Sequence, residues 1–132
     1  MQRKGQLLNA RLAGAIVRLG HGDRVVVTDA GLPLPWTVET VDLSVVPGLP
    51  TLEQILGVIM DELQVEAAFV AEEFERASPA VYEPVARLLK GCEVRAVRHA
   101  ELEGMLPEVK LIVRTGQCSH YSNVILVAGT TF

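Results

Sequence analysis

Aromatic side chains are scarce: one Trp, two Tyr and three Phe make up 5% of the chain. The core must therefore be built from Leu, Val, Ile and Ala, which suits a sheet covered by helices. Long apolar runs are also missing; none approaches the ~20 residues needed to cross a bilayer as a helix. Lys and Arg form no cluster, and twelve basic against sixteen acidic residues give a formal net charge of −4. That balance argues against nucleic acid as a partner. Only two cysteines are present, Cys92 and Cys118. The start, MQRKGQLLNA, is basic but has no long apolar segment behind it, so it does not read as a signal peptide. The cysteines are expected to be reduced thiols in a cytoplasmic protein. Neither lies in a motif that would lower its pKa. There is no G-x-x-x-x-G-K, no G-x-G-x-x-G and no G-x-S-x-G, which removes the commonest nucleotide and acyl-transfer chemistries. The three histidines and two cysteines form no zinc-ligand motif, and no metal or cofactor is expected.

What remains is a chain of 132 residues, 49% hydrophobic and 21% charged. This predicts one domain over residues 1–132 with a substantial core. So much apolar surface in so short a chain is usually covered by other subunits, which predicts a homo-oligomer.

Helical and extended patterns alternate. Asn9 is placed to cap a helix reaching about Leu19, with Leu12, Ile16 and Leu19 on one face and Gly20 as a left-handed stop. Arg24–Thr28, RVVVT, is a β-branched run without alternation and reads as a strand buried on both faces. A further strand is expected near Val38–Leu43. Thr51 and Gln54 fit a capping box, opening a helix with Leu52, Ile55, Leu56, Ile59 and Leu63 on its apolar face. Gln64–Ala71 reads as a strand. Ser78-Pro79 starts a helix that stops at Gly91. CEVRAVR, KLIVRTG and NVILVAG read as strands, and His99 can open the short helix AELEGML. The apolar tail after Gly129 is expected to dock. Together these segments predict an α/β fold of three layers, α/β/α. Its central sheet is mostly parallel but mixed, with about six strands and three or four helices.

Ligands of open α/β sheets bind outside the carboxyl ends of the strands. Polar side chains fall at strand ends in three places: His21 and Asp29 around the first strand, His99 after the fourth, and Tyr121/Asn123 in the last loop. Each has a plainer reading. His21, between Gly20 and Gly22, suits a helix terminus. Asp29-Ala30-Gly31-Leu32-Pro33 is good turn chemistry. His99 and His120 read as surface residues, Tyr121 as packing, and Glu72 and Glu73 as a solvated face.

Three stretches together carry a resemblance: RLGHGDRVVVTDAGLPLP, LEQILGVIMDELQVEAAFVAEE and VRTGQCSHYSNVILVAGTTF. They resemble the D-ribose pyranase and fucose mutarotase family from about Lys4 to Phe132, most weakly over residues 75–98. Asp29-Ala30-Gly31-Leu32-Pro33 looks like the ribose branch, whereas fucose mutarotases resemble D-A-H-F-P there. His99 and the ending VAGTTF also look like the ribose branch. Tyr121-Ser122-Asn123 matches the family pattern of Tyr, a small residue, then Asn. The resemblance implies that His21 is the catalytic acid/base and that Asp29, His99, Tyr121, Ser122 and Asn123 bind the monosaccharide, D-ribose. It also implies a ring-like homo-oligomer (an octamer or decamer) with sites near subunit contacts, and no cofactor. L-fucose mutarotase activity and non-catalytic ribose binding are the alternatives.

The implied reaction interconverts the β-pyranose and β-furanose forms of ribose. The ring opens to the aldehyde and closes through a different hydroxyl. A proton must reach the ring oxygen and another must leave the anomeric hydroxyl, which suits an imidazole exchanging protons near neutrality. Carboxylate, amide and phenol groups suit sugar hydroxyls. One difficulty follows from the strand itself. Five residues separate its ends by roughly 15 Å, so His21 and Asp29 need a fold-back or a neighbouring subunit to meet.

Overall fold

Val25, Val26 and Val27 decide where the sheet's centre lies. Successive side chains of a strand point to opposite faces, and all three are fully buried. Both faces of the sheet are therefore covered. The computed structural model describes residues 7–132. The first six positions of the basic N-terminal segment considered above lie outside the described residues.

The elements in chain order are α1 (Ala10–Val17), β1 (Arg24–Thr28), β2 (Thr40–Asp42), α2 (Leu52–Glu62), β3 (Val65–Ala71), α3 (Glu72–Ala77), α4 (Pro79–Leu88), β4 (Glu93–Val97), α5 (His99–Met105), a short 3-10 turn (Leu106–Glu108), β5 (Leu111–Arg114) and β6 (Val124–Ala128). The six strands form one sheet in the order β2-β5-β1-β6-β3-β4. This is the mixed α/β architecture expected.

Local chemistry accounts for the starts of α1 and α2. The Asn9 side chain accepts from Leu12 N, and Thr51 and Gln54 form the reciprocal capping box. Each arrangement satisfies donors that the first turn leaves free. Two expectations need correction. Helix α1 ends at Val17, and the positive φ belongs to Gly22, not Gly20. Gly20 N instead donates to the Asp23 carboxylate at 2.9 Å, so a side chain closes the turn where a left-handed glycine was expected. The tail does not dock within the chain: Phe132 is 95% exposed.

Strand direction fixes the geography of the site. Strand β1 pairs in parallel with β5, β5 with β2, and β3 with β4. Strand β6 lies between β1 and β3 and is antiparallel to both. The residues that follow β1, β3, β4 and β5 therefore share one edge of the sheet with the residues that precede β6. Residues before β1 lie at the other edge.

Candidate functional site

At the carboxyl edge, Asp29 continues directly from β1. Its Oδ1 accepts from Gly31 N at 3.0 Å and from Leu32 N at 2.9 Å, an Asx-type turn that curls residues 29–33 back over the sheet edge. Its own N–H donates to Asn123 Oδ1 at 2.9 Å, and Asn123 Nδ2 lies 3.4 Å from Asp29 Oδ2. Asp29 and Asn123 are both buried. Burial pushes the Asp29 carboxyl above its ordinary value; the bonds from Gly31, Leu32 and Asn123 and the nearby His99 oppose this without cancelling it.

The same loop is tied down on two further sides. Ala30 N donates to Gln117 O at 2.8 Å. Arg114, at the end of β5, donates through Nη2 to Ala30 O at 2.7 Å, and through Nη1 to Asp42 at 3.0 Å and Ser44 at 2.8 Å. Gln117 is anchored in turn, because its Oε1 accepts from Leu52 N at the start of α2, 3.0 Å away.

His99 arrives from β4 as the first residue of α5. Arg98, the residue before it, provides no side-chain cap. The Glu73 carboxylate from α3 takes that role, accepting the His99 N–H at 3.0 and 3.2 Å. Glu73 is thus a structural acceptor, where the sequence suggested only a solvated face. Helix α3 was itself unexpected: it has six residues and no side-chain cap, so neither periodicity nor capping announces it. The His99 ring packs edge-on against Tyr121, with centroids 4.9 Å apart at 75°. Tyr121 has φ of 62°, the only positive φ among the described residues other than glycine. A non-glycine residue in that region is strained and is held there by its surroundings.

These segments enclose a cavity of about 610 Å³ lined by Asp29, Leu32, His99, Gln117, Ser119, Tyr121 and their neighbours. That volume lies in the usual range for small-molecule sites. The structure brings Asp29, His99 and Tyr121 to one cavity. Ser122 and Asn123 stand behind its wall: Ser122 Oγ bonds Ser119 at 2.7 Å, and Asn123 supports Asp29. Gln117, Ser119 and His120 also line the cavity. Sequence reasoning missed the first two and read His120 as a plain surface residue. The signal was available in the polar string QCSHYS between two apolar strands.

His21 is not in this cavity. It precedes β1 and lies at the opposite edge, where Gly22 N donates to Ala128 O at 2.8 Å. Its side chain is 59% exposed, and Nε2 lies 3.3 Å from Glu66 Oε2. The turn before β1 does not fold back, so the strand's length of roughly 15 Å separates the two positions. Among the described residues, no group of three or more His, Cys, Asp or Glu is arranged to hold a metal ion. No helix among them is long and apolar enough to cross a membrane.

Comparison with known proteins adds a separate line of observation. The model of the RbsD / FucU transport protein family matches residues 2–131. A D-ribose pyranase from Symbiobacterium thermophilum is 45% identical over 130 residues, covering 98% of this chain and 99% of that protein. One from Proteus mirabilis is 39% identical over 138 residues, with the same coverage. Among solved structures, Bacillus subtilis RbsD complexed with D-ribose superposes with a TM-score of 0.93 at 35% identity, covering 98% of this chain and 99% of that one.

Proposed function

The chain belongs to the RbsD / FucU transport protein family, and from that premise we propose that it is a D-ribose pyranase. It converts β-pyranose to β-furanose ribose by opening and reclosing the ring, and acts in the cytoplasm on a free monosaccharide. The observation that carries this reading is near end-to-end similarity, 45% identity over 98% of the chain, to a D-ribose pyranase. A cavity of suitable size at the carboxyl edge of the sheet, with Asp29, His99, Gln117 and Tyr121 among its lining residues, supports it.

In this reading Asp29 accepts hydrogen bonds from sugar hydroxyls, and His99 and Tyr121 form the wall against which the ring lies. Asn123 and Ser122 set the positions of Asp29 and the 119–122 loop. The cavity's own histidines are His99 and His120, and His99 is already engaged through Nε2 with Glu103 at 2.7 Å. His21, exposed at the far edge, is the proton donor and acceptor, presented to the cavity of a neighbouring copy in a ring-like homo-oligomer. An imidazole there delivers a proton to the ring oxygen and removes one from the anomeric hydroxyl. One well-placed general acid or base contributes about 10²–10⁴-fold. That is enough for a reaction that already proceeds unaided.

Exchange NMR on equilibrated D-ribose tests the reading. Added protein is expected to speed pyranose–furanose exchange, and His21→Ala to abolish the gain. Exchange at the background rate with the unaltered protein refutes it. Faster exchange of L-fucose anomers than of ribose forms moves the protein to the other branch of the family.

A further inference from the structure

The His99 ring has one nitrogen engaged and one orphaned. Nε2 lies 2.7 Å from Glu103 Oε1, one helical turn further along α5. Nδ1 is buried and has no hydrogen-bond partner among the described residues. An ionised carboxylate only accepts hydrogen bonds, so it requires the proton on Nε2. The other end of the ring leads to the same conclusion. With the opposite tautomer, Nδ1 would carry a buried N–H with no acceptor, and Nε2 would turn a lone pair toward a carboxylate. An unmatched buried donor is costly, and so is lone-pair repulsion at 2.7 Å. The neutral ring therefore has one permitted proton position.

We propose that Glu103 is a positioning residue for the sugar site: its carboxylate fixes the tautomer and orientation in which His99 lines the cavity. The proposal rests on the reading of that cavity as the ribose site. The remaining restraints on His99 act elsewhere. Glu73 holds its backbone N–H, and Tyr121 meets the ring edge-on. Asp29 lines the same cavity. None of these engages Nε2, so Glu103 adds the one direct contact at that end of the ring to the bias that burial of Nδ1 already sets. Spacing makes the device possible, since residues four apart on a helix are neighbours on its surface. Glu103 is 41% exposed, so its replacement leaves the core intact.

Side-chain ¹⁵N NMR of the protein without sugar tests this first. The chain has three histidines, which His21→Gln and His120→Gln variants assign. His99 is expected to show an unprotonated Nδ1 and a protonated Nε2. Glu103→Ala removes the Nε2 acceptor and frees the ring to turn Nδ1 out of its buried position, so those signals are expected to move toward a tautomer mixture. Glu103→Gln retains an acceptor oxygen and is expected to restore most of the original pattern. In the exchange assay, Glu103→Ala is expected to raise KM for ribose about 3–10-fold, the worth of one net hydrogen bond, with kcat changed less than KM. Glu103→Gln is expected to lie between the two. A protonated Nδ1 in the unaltered protein overturns the proposal, as does a Glu103→Ala variant whose nitrogen signals and KM are unchanged. Because the NMR measurement needs no sugar, it decides the tautomer even if the unaltered protein leaves ribose exchange at its background rate. That second result would instead sink the pyranase reading.

Discussion

Replacing Asp29 with Asn separates what its carboxylate does for the fold from what it does for the sugar. Two backbone N–H groups, from Gly31 and Leu32, donate to Oδ1 at 3.0 and 2.9 Å. Hydrogen bonds to a charged group contribute about 1.5–3 kcal/mol, against about 0.5–1.5 for neutral ones. Losing the charge while keeping the oxygen therefore costs on the order of 1 kcal/mol per bond. Burial acts the other way and prevails, since the Asp29 carboxyl is held above its ordinary value. The folded state thus prefers the uncharged form more than the unfolded chain does. The sign follows from linkage. The contribution of Asp29 to stability is full below the unfolded value near 3.8, and it is lost as pH rises through the folded value. Asp29→Asn cannot ionise, so its stability relative to the unaltered protein should improve as pH is raised from 4 to 7. At pH 7 it should be equal or more stable, within about 1–2 kcal/mol. Ribose turnover should fall about 10–150-fold, the loss of one charge-assisted bond of about 1.5–3 kcal/mol. Urea unfolding at fixed protein concentration and exchange NMR measure the two quantities. A variant more than about 2 kcal/mol less stable at pH 7, with normal turnover, would refute this reasoning, because the carboxylate would then be structural.

Three other outcomes are expected. A Cβ on Gly116 would sit 2.5 Å from Leu49 O and 2.7 Å from Val46 O. Gly116→Ala should therefore cost about 1–3 kcal/mol in urea unfolding and raise KM by shifting the neighbouring Gln117; unchanged stability would mean that the turn yields freely. Burial opposes ionisation of Asp42, but its bonds from Ser44 and Arg114 outweigh that and hold its carboxyl below the ordinary value. Its contribution is present above the unfolded value near 3.8 and fades as pH falls through the lower folded one. Because the Asp42–Arg114 pair is partly exposed, Asp42→Asn should cost no more than about 1 kcal/mol at pH 7, and the difference should vanish at the acid end of a urea series. Finally, mixed oligomers of His21→Ala and Asp29→Asn chains should recover part of the activity that each variant lacks alone, because a shared site regains one intact copy. Mixtures as inactive as their components would place both groups in one protomer.

The sequence made the starts of α1 and α2 legible because caps are local: Asn9, Thr51 and Gln54 need partners within three residues. The central strand was legible because three adjacent valines have no polar face to offer water. Strand order was not, since the pairing of Val25 with both Leu111 and Leu126 joins distant parts of the chain. The turn before β1 was misread because a carboxylate, that of Asp23, closes it where glycine was expected. Type and place in the sequence picked out Asp29, His99 and Tyr121, which share one cavity, yet the separate positions of Ser122 and Asn123 behind its wall depend on which way buried side chains point. The Glu73 bond to His99 spans 26 residues and leaves no trace in local pattern.

The position of β6 has a consequence for how the molecule can be made. Strands β2, β5 and β1 form one block and β3 and β4 another, and the two are joined in the sheet only through β6, the last strand in chain order. The sheet therefore cannot close before β6 has been made, and the cavity's walls come together only when that strand slots in. Assembly so dependent on remote pairing belongs to the slow end of single-domain folding. A premature stop before Val124 would leave two blocks with bare hydrophobic edges, ready to stick to other chains.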